Sequence, residues 1–187
     1  MRVIAGTFRS RRLQSLPGLD IRPTSDRLRE TLFNILTAGN PAALEGSAWV
    51  DLFAGTGAVG IEALSRGAQM VYFVDSSQAA VEIIKRNLQS LGITDGFQII
   101  QQESARAIAH LDRQQVKPNF VFMDPPYSMR NVYKVTLDAV NHSSVSECAL
   151  VIAEHEKRFD PGGQFGEMQR FHTRLQGDAG LSFYRRT

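Results

Sequence analysis

Two loops hold the residues of this 187-residue chain whose types and spacing could do chemistry. The first loop follows the apolar run 49–53 and reads GTGAVG over residues 55–60. Glycine accepts positive φ and lets backbone N–H groups approach a ligand at the start of a helix. A strand, a glycine loop and a helix therefore predict a nucleotide-binding α/β unit, although the same turn could serve only to pack a helix on a sheet.

Two carboxylates flank this glycine loop. Asp51 stands four residues before Gly55, and Asp75 ends a second apolar run, residues 70–74, at the distance of about 20 residues where a ribose-binding acid belongs. The glycine pattern alone does not separate NAD from S-adenosylmethionine. A carboxylate at Asp51 has no role beside a pyrophosphate but could hold the ammonium group of a methionine moiety, so Asp51 favours S-adenosylmethionine.

The second loop is Asp124-Pro125-Pro126-Tyr127, which follows the apolar run 120–123. Consecutive prolines make a rigid loop without N–H donors, so its carbonyls and the Asp124 carboxylate form a surface that only accepts hydrogen bonds. Such a surface suits the exocyclic amino group of a base. Accepted hydrogens turn the nitrogen lone pair toward an electrophilic methyl group while Tyr127 stacks on the ring. Alternatively, this loop has no catalytic role and only terminates a strand.

Alternating strands and helices position both loops. We predict strands at 49–53, 70–74, 97–101, 120–123 and 149–153 and helices at 57–66, 77–91, 104–111 and 131–141. This alternation with short connections predicts a doubly wound parallel sheet, whose carboxyl edge binds ligands. The runs 165–175 and 181–186 are joined by a link too short for a parallel crossover, so we predict an antiparallel hairpin.

The first part of the chain carries most of its excess positive charge. Residues 1–30 hold seven arginines and three acids, a balance of +4, whereas the whole chain has a net charge of +2. Residues 3–5 and 11–14 flank a turn and predict a short hairpin with an arginine face, followed by a helix to about Thr37. A basic face predicts a polyanionic partner, although a solvated surface is equally consistent with charge alone. We place the boundary between an N-terminal extension, 1–40, and the main domain, 41–187.

Composition limits the remaining possibilities. A hydrophobic content of 43% with 21% charged residues is typical of a globular protein with one core, and no apolar run approaches the roughly 18 residues of a membrane span. The opening residues lack a secretory apolar segment, so we expect a cytoplasmic protein. Cys148 is the single cysteine and is interpreted as a core residue. His155 is interpreted as structural, and we expect no metal site.

Four segments resemble the bacterial RsmD family, which methylates the N2 amino group of one guanine in 16S ribosomal RNA. They are DLFAGTG at 51–57, DPPY at 124–127, RPTSDRLRETLFN at 22–34 and GDAGLSFY at 177–184. The resemblance runs from Arg2 to Tyr184. It implies a Rossmann-like S-adenosylmethionine-dependent methyltransferase fold with a seven-stranded, mostly parallel sheet and an antiparallel C-terminal hairpin, and an N-terminal hairpin that meets RNA.

The resemblance also implies roles for individual residues. The cofactor-binding set is Asp51, Phe53, Gly55, Gly57, Asp75, Glu103 and Ser104; the catalytic set around the target base is Asp124, Pro125, Pro126 and Tyr127; and the RNA-binding set is Arg9, Arg11, Arg12, Arg22, Thr24 and Arg27. The pair Glu103-Ser104 departs from the family, which usually has a shorter acid or amide after the third strand. This departure affects the adenine contact rather than the cofactor.

Two other functions stay open on the sequence. An amino methyltransferase acting on adenine N6 or cytosine N4 could use the same Asp-Pro-Pro-Tyr loop, although the chain has little room for a separate base-recognition domain. An NAD-dependent oxidoreductase or a non-enzymatic nucleotide-binding module could use the same glycine loop. The partner expected under the first interpretation is 16S ribosomal RNA or a small-subunit particle.

Overall fold

One mixed sheet orders the elements of the computed structural model, which describes residues 1–15 and 26–187. The helices are α1 (Asp26–Leu36), α2 (Ala58–Ser65), α3 (Gln78–Leu91), α4 (Ser104–Arg113) and α5 (Arg130–Asn141), with a short 3-10 turn at Ser144–Ser146. The strands are β1 (Ala48–Leu52), β2 (Met70–Val74), β3 (Phe97–Ile100), β4 (Phe120–Met123), β5 (Leu150–Glu156), β6 (Gln164–Phe165), β7 (Met168–Gln176) and β8 (Ala179–Arg186).

The strand order is β3-β2-β1-β4-β5-β8-β7-β6. Strands β1 to β5 are parallel, and β8 runs antiparallel between β5 and β7. The predicted doubly wound sheet with an antiparallel C-terminal hairpin is confirmed. The predicted number of seven strands is one too low, because the two-residue strand β6 pairs with Met168 and Gln169 of β7 and is too short for an alternating pattern to reveal.

Helices cover both faces of the sheet because alternate residues of each strand point to opposite faces. Trp49 of β1 is buried on the face that carries α1, α2 and α3, and its ring lies 5.4 Å from Phe33 of α1. The next residue, Val50, is buried on the other face with α4 and α5, where it joins the cluster of Leu111 and Leu137. These two clusters hold β1 and β4 rigidly at the middle of the sheet.

The N-terminal segment 1–15 forms less of a hairpin than predicted. Among the described residues, its one bridge joins Arg2 and Arg12, and the Val3 N–H donates a hydrogen bond to the Arg11 carbonyl beside it. The segment is instead fixed on α2, where a Cβ on Gly6 would lie 1.7 Å from the Ser65 carbonyl oxygen. Val3 is buried in the same cluster as Trp49 of β1. The division of the chain at residue 40 stays a prediction.

Cys148 is exposed, so its interpretation as a core residue is wrong, because strand β5 begins only at Leu150. Within the described ranges, no helix is both long and apolar enough to cross a membrane.

Candidate active site

The glycine loop meets a buried carboxylate at the end of β1. Asp51 is 2% exposed, and its Oδ2 accepts a hydrogen bond of 2.9 Å from the Gly60 N–H in the first turn of α2. Burial, together with a smaller effect of the nearby Asp75 carboxylate, raises the pKa of Asp51 to about 7, although the hydrogen bond from Gly60 lowers it. No basic side chain of the described chain is paired with Asp51. A buried carboxylate of this kind is suited to bind a cationic ligand group.

The backbone of the loop turns through three residues with positive φ. These are Phe53 at 63°, Gly55 at 54° and Gly57 at 77°. Phe53 is the unusual member, because a left-handed conformation costs a non-glycine residue about 1–2 kcal/mol, and such strain is typical of functional sites. A Cβ on Gly55 would meet nothing closer than the Phe53 carbonyl oxygen at 3.9 Å, so the loop is open on the side where a ligand could approach.

Asp75 stands beside the loop at the end of β2. Its Oδ2 accepts a hydrogen bond of 2.9 Å from the Gly55 N–H, and its Oδ1 accepts one of 2.9 Å from the Ser77 N–H. Each carboxylate oxygen can accept two hydrogen bonds, so Asp75 can hold the loop and still accept bonds from ribose hydroxyls. Its position agrees with the sequence-based assignment, which stays a prediction.

The Asp-Pro-Pro-Tyr loop lies at the same edge as the glycine loop. Leu52 of β1 is in register with Val74 of β2 and Met123 of β4, so Asp75 and Asp124 follow paired positions on either side of β1. Asp124 is half-buried, and like Tyr127 it lies near the buried Tyr133, whose pKa is raised by burial first and then by these two neighbours.

The two prolines differ in their surroundings. Pro125 is buried and Pro126 is exposed, while Tyr127 is half-buried and can present part of its ring. The Pro126 carbonyl accepts a hydrogen bond of 2.8 Å from the Met129 N–H, which fixes the loop at the start of α5. The catalytic residues predicted from the sequence are therefore held on a short, braced loop next to the glycine loop.

Comparisons with known proteins identify the family. The family model described as "Conserved hypothetical protein 95" matches residues 1–185. Ribosomal RNA small subunit methyltransferase D of Haemophilus influenzae is 35% identical over 160 residues, which cover 84% of this chain and 79% of that protein. The chain belongs to the family that this model describes. The resemblance to the RsmD family is thereby confirmed, and membership supports a methyltransferase rather than an oxidoreductase.

Two further relatives match the full length of the chain. YlbH of Bacillus subtilis, a candidate rRNA methyltransferase, is 30% identical over 186 residues, which cover 100% of this chain and 99% of that protein. The solved structure of yhhF from Escherichia coli, a candidate methyltransferase, superposes with a TM-score of 0.82 at 27% identity and covers 100% of this chain and 97% of that one.

The two residues predicted to bind adenine, Glu103 and Ser104, differ in whether their side chains are already engaged. Glu103 is exposed and precedes α4, and its side chain makes no capping hydrogen bond there. Ser104 is buried, and its hydroxyl lies 2.8 Å from the hydroxyl of Thr136 on α5. The Ser104 side chain is thus engaged between helices, so an adenine contact would use its backbone N–H in the first turn of α4.

The predicted RNA-binding residues lie in two places. Arg9, Arg11 and Arg12 are exposed on the N-terminal segment, and the Arg11 Nη2 donates a hydrogen bond of 2.8 Å to the Ser90 carbonyl of α3. Arg27 is exposed in the first turn of α1. Arg22 and Thr24 lie outside the described residues.

The sequence did not single out Asn87, which ties the N-terminal segment to the glycine loop. This fully buried α3 side chain exchanges two hydrogen bonds with the Gln14 backbone, of 2.7 and 3.1 Å, and donates a third of 2.9 Å to the Thr56 carbonyl. All of its amide hydrogens and one lone pair are used. The available signal was a polar residue on the apolar seam of a helix, between Ile84 and Leu91.

His155 has the structural role expected of it. Its Nε2 lies 2.9 Å from the Ser182 hydroxyl, and its Nδ1 lies 2.9 Å from the Glu156 carbonyl. Burial lowers the pKa of His155, which favours the neutral ring. The Nε2 contact joins β5 to β8, and the Nδ1 contact lies within β5.

Proposed function

We propose that this protein transfers a methyl group from S-adenosylmethionine to the exocyclic N2 amino group of a guanine in 16S ribosomal RNA. The observation that carries the proposal is the placement of Asp51 and Asp124 at the ends of the adjacent strands β1 and β4, Asp51 beside the glycine loop and Asp124 as the first residue of the rigid proline loop. The motifs of the RsmD family and the names of the relatives support the substrate. This substrate class also supports a cytoplasmic location.

The residues of the glycine loop fit S-adenosylmethionine. Asp51 is a buried carboxylate without a described cationic partner, which suits the methionine ammonium, and the open side of Gly55 leaves room for the ligand. Asp75 would bind the ribose hydroxyls. When bound, the cofactor supplies an electrophilic methyl group on a positively charged sulfur.

Residues of the proline loop act on the base. The Asp124 carboxylate and a backbone carbonyl of the loop accept the two hydrogens of the amino group, which orients the nitrogen lone pair toward the methyl group. These contacts strengthen as the nitrogen gains positive charge in the transition state, so they lower the barrier rather than only bind substrate. Tyr127 stacks on the guanine ring and fixes its plane.

The direct test uses two substrates and isotopically labelled S-adenosylmethionine. Protein-free 16S ribosomal RNA and small-subunit particles, both prepared without this modification, are incubated with the protein, and the methylated nucleotide is mapped. We expect one N2-methylguanine, and the faster of the two substrates identifies the form that the enzyme uses. A methyl group on adenine N6 or cytosine N4 would overturn the proposal in favour of the other amino methyltransferases.

The raised pKa of Asp51 predicts pH-dependent cofactor binding. Below about pH 7 the free protein holds Asp51 protonated, whereas a ligand ammonium favours the carboxylate, so binding releases a proton there. The affinity for S-adenosylhomocysteine should rise by up to about tenfold per pH unit from pH 5.5 toward 7 and then level off. Calorimetry across this range measures the step. Asp51→Asn keeps an acceptor for Gly60 but should bind weakly and without the step; equal pH profiles would contradict the assignment.

The same raised pKa has the opposite effect on the free protein. The pKa of Asp51 in the folded state, about 7, lies above its unfolded value, so the folded state holds the extra proton between about pH 4 and 7. The free energy of unfolding contributed by this group therefore falls as pH rises through that range. Bound S-adenosylhomocysteine should remove this decline, because its ammonium stabilises the ionised carboxylate.

The arginines of the N-terminal segment predict the salt dependence of RNA binding. If Arg9, Arg11 and Arg12 contact phosphates, replacing all three with Gln should reduce the number of released counterions by roughly two to three. The affinity for S-adenosylhomocysteine should not change, because none of the three belongs to the cofactor loop. Binding of 16S ribosomal RNA measured between low and high salt gives the slope. An unchanged slope would assign these residues to an ordinary solvated surface.

A further inference from the structure

The C-terminal hairpin β7–β8 presents a second basic surface. The two strands contain four arginines and no acidic residue. Arg170 forms an ion pair of 2.5 Å with Asp160, and Arg186 forms one of 2.6 Å with Glu167. By contrast, Arg174 and Arg185 form no ion pair with any other residue in the described ranges, and both are exposed. Their charges are available to a polyanion.

An exposed aromatic ring accompanies these two charges. Phe171 is 50% exposed, and the Arg185 guanidinium lies over its ring, 4.9 Å from the centroid. The strand is irregular between Arg170 and His172, so Phe171 lies at a bulge of β7. Arginine together with an exposed aromatic ring is a combination that stacks on unpaired bases and contacts phosphates.

Strand register places the basic residues on one face of the sheet. His172 pairs with Phe183 and Arg174 pairs with Leu181, and both partners are buried on the face that carries α1. Directly opposed residues project to the same face, and Arg185 follows Phe183 by two residues, so it projects there too. We name Phe171, His172, Arg174 and Arg185 the hairpin strip.

The hairpin strip and the N-terminal arginines lie on opposite sides of the catalytic loop. Strand β7 lies three positions from β4, about 14 Å away at the spacing of adjacent strands. On the other side of β4, Arg11 is bound to α3, which packs on the same face of the sheet. At the hairpin end of the strip, the Gln176 amide donates to the Arg27 carbonyl at the start of α1. Along the strands, Arg174 is level with the end of β4, because Leu181 pairs with both Arg174 and Glu154, whereas Arg185 is level with Leu150 and the start of β4. RNA that leaves the catalytic loop beside Arg174 would therefore follow this face for about 13 Å to reach Arg185.

The outer edge of β7 also distinguishes the hairpin strip from a covered surface. Strand β6 pairs only with Met168 and Gln169, so beyond them no other described strand occupies this edge. Backbone N–H groups at an open edge can donate hydrogen bonds to phosphate oxygens. Pairing with a strand of another protein would instead require an edge that is regular and uncharged. The bulge and the unpaired arginines favour a polyanion over a second protein strand.

We propose that the hairpin strip binds RNA that flanks the target nucleotide, with Arg174 and Arg185 on phosphates and Phe171 stacked on a base. This inference rests on the proposed function and extends it with a second RNA contact. Two anchors on either side of the catalytic loop would hold the RNA strand in register while the target guanine enters the site.

Charge reversal of the strip tests the inference. In Arg174→Glu/Arg185→Glu, we expect the affinity for unmodified 16S ribosomal RNA to fall at least roughly tenfold at about 0.1 M salt, with roughly two fewer counterions released. Phe171→Ala should weaken binding roughly fivefold or more through lost stacking. Arg113→Glu is the matched control, because Arg113 is exposed at the end of α4 on the opposite face and should leave RNA affinity unchanged.

Measurements of cofactor binding, RNA affinity, RNA methylation and oligomeric state separate the possible outcomes. The melting-temperature increase caused by S-adenosylhomocysteine should be equal in all variants, which shows that each folds and retains the cofactor site. If the wild type methylates RNA and the reversed variant binds RNA as the wild type does, the strip is not an RNA contact, although the proposed function stands. If the wild type methylates no ribosomal RNA, the proposed function itself fails. A wild-type dimer that the reversal dissociates, with RNA affinity unchanged, would overturn the inference and assign the strip to self-association.

Discussion

Replacing Asp124 with Ala is expected to lower the single-turnover rate of methyl transfer by at least roughly a hundredfold, with little change in cofactor affinity. The guanine N2 amino group is a poor nucleophile because its lone pair is delocalised into the ring. Orientation and accepted hydrogen bonds must therefore supply the barrier reduction, and Asp124 is the charged acceptor of a loop whose prolines donate nothing. Rapid-quench measurement with saturating S-adenosylmethionine isolates this step.

Companion variants separate the roles within this loop. Asp124→Asn should be milder than Ala if the side chain mainly accepts a hydrogen bond, and as severe if it must also take up the proton lost from nitrogen. Tyr127→Phe keeps the stacking face and should retain most activity, whereas Tyr127→Ala should not. Asp95→Ala removes an exposed carboxylate that precedes β3, at the opposite end of the strands, and serves as the control. A wild-type rate in Asp124→Ala would place the active centre elsewhere.

The positions of both site loops could be predicted because each follows a continuous apolar run. A buried parallel strand ends at the carboxyl edge of the sheet, so the loop that follows it in the sequence must lie at that edge. The sequence alone therefore predicted that Asp51, Asp75 and Asp124 lie at one edge of the sheet. The side-chain details were less accessible. Ser104 has the expected position, but its hydroxyl is held by Thr136 from α5, a partner 32 residues away.

The contacts that fix the N-terminal segment could not be predicted for the same reason. Alternating apolar and basic residues indicate an extended chain, but they do not reveal that α2 supplies the acceptors for its backbone. Both Asn87 and Glu62 stand out in their helices only as polar residues among apolar ones. The pattern does not predict the hydrogen-bond partner of either residue, because the partner of Glu62 is 58 residues away along the chain and that of Asn87 is 73 residues away.

Glu62 anchors the N-terminal segment from inside the protein. This fully buried side chain accepts hydrogen bonds of 2.7 Å from the Ile4 N–H, 3.0 Å from the Ala5 N–H and 2.7 Å from the Arg66 Nε. The guanidinium of Arg29, also fully buried, lies 3.8 Å away, and burial lowers the pKa of Arg29 while the Glu62 charge raises it. One carboxylate therefore compensates two backbone donors and two cations.

Glu62→Ala should lower the free energy of unfolding by about 3–5 kcal/mol, because it leaves a buried charge without one of its counter-charges and removes the acceptor of two backbone N–H groups. The melting temperature should fall by roughly 10 °C for a domain of this size. Chemical unfolding and calorimetry measure both quantities.

A matched pair on α3 controls for the loss of an ion pair as such. Glu82 lies 3.8 Å from Arg86, with half of its side chain exposed, and Glu82→Ala should change the free energy of unfolding by less than about 1 kcal/mol. Amide exchange should accelerate at residues 3–13 in Glu62→Ala and not in Glu82→Ala, because only Glu62 holds that segment. Glu62→Gln keeps an acceptor oxygen but not the charge and should fall between wild type and Ala. Equal losses in Glu62→Ala and Glu82→Ala would show that the buried cluster contributes nothing to holding the N-terminal segment on α2.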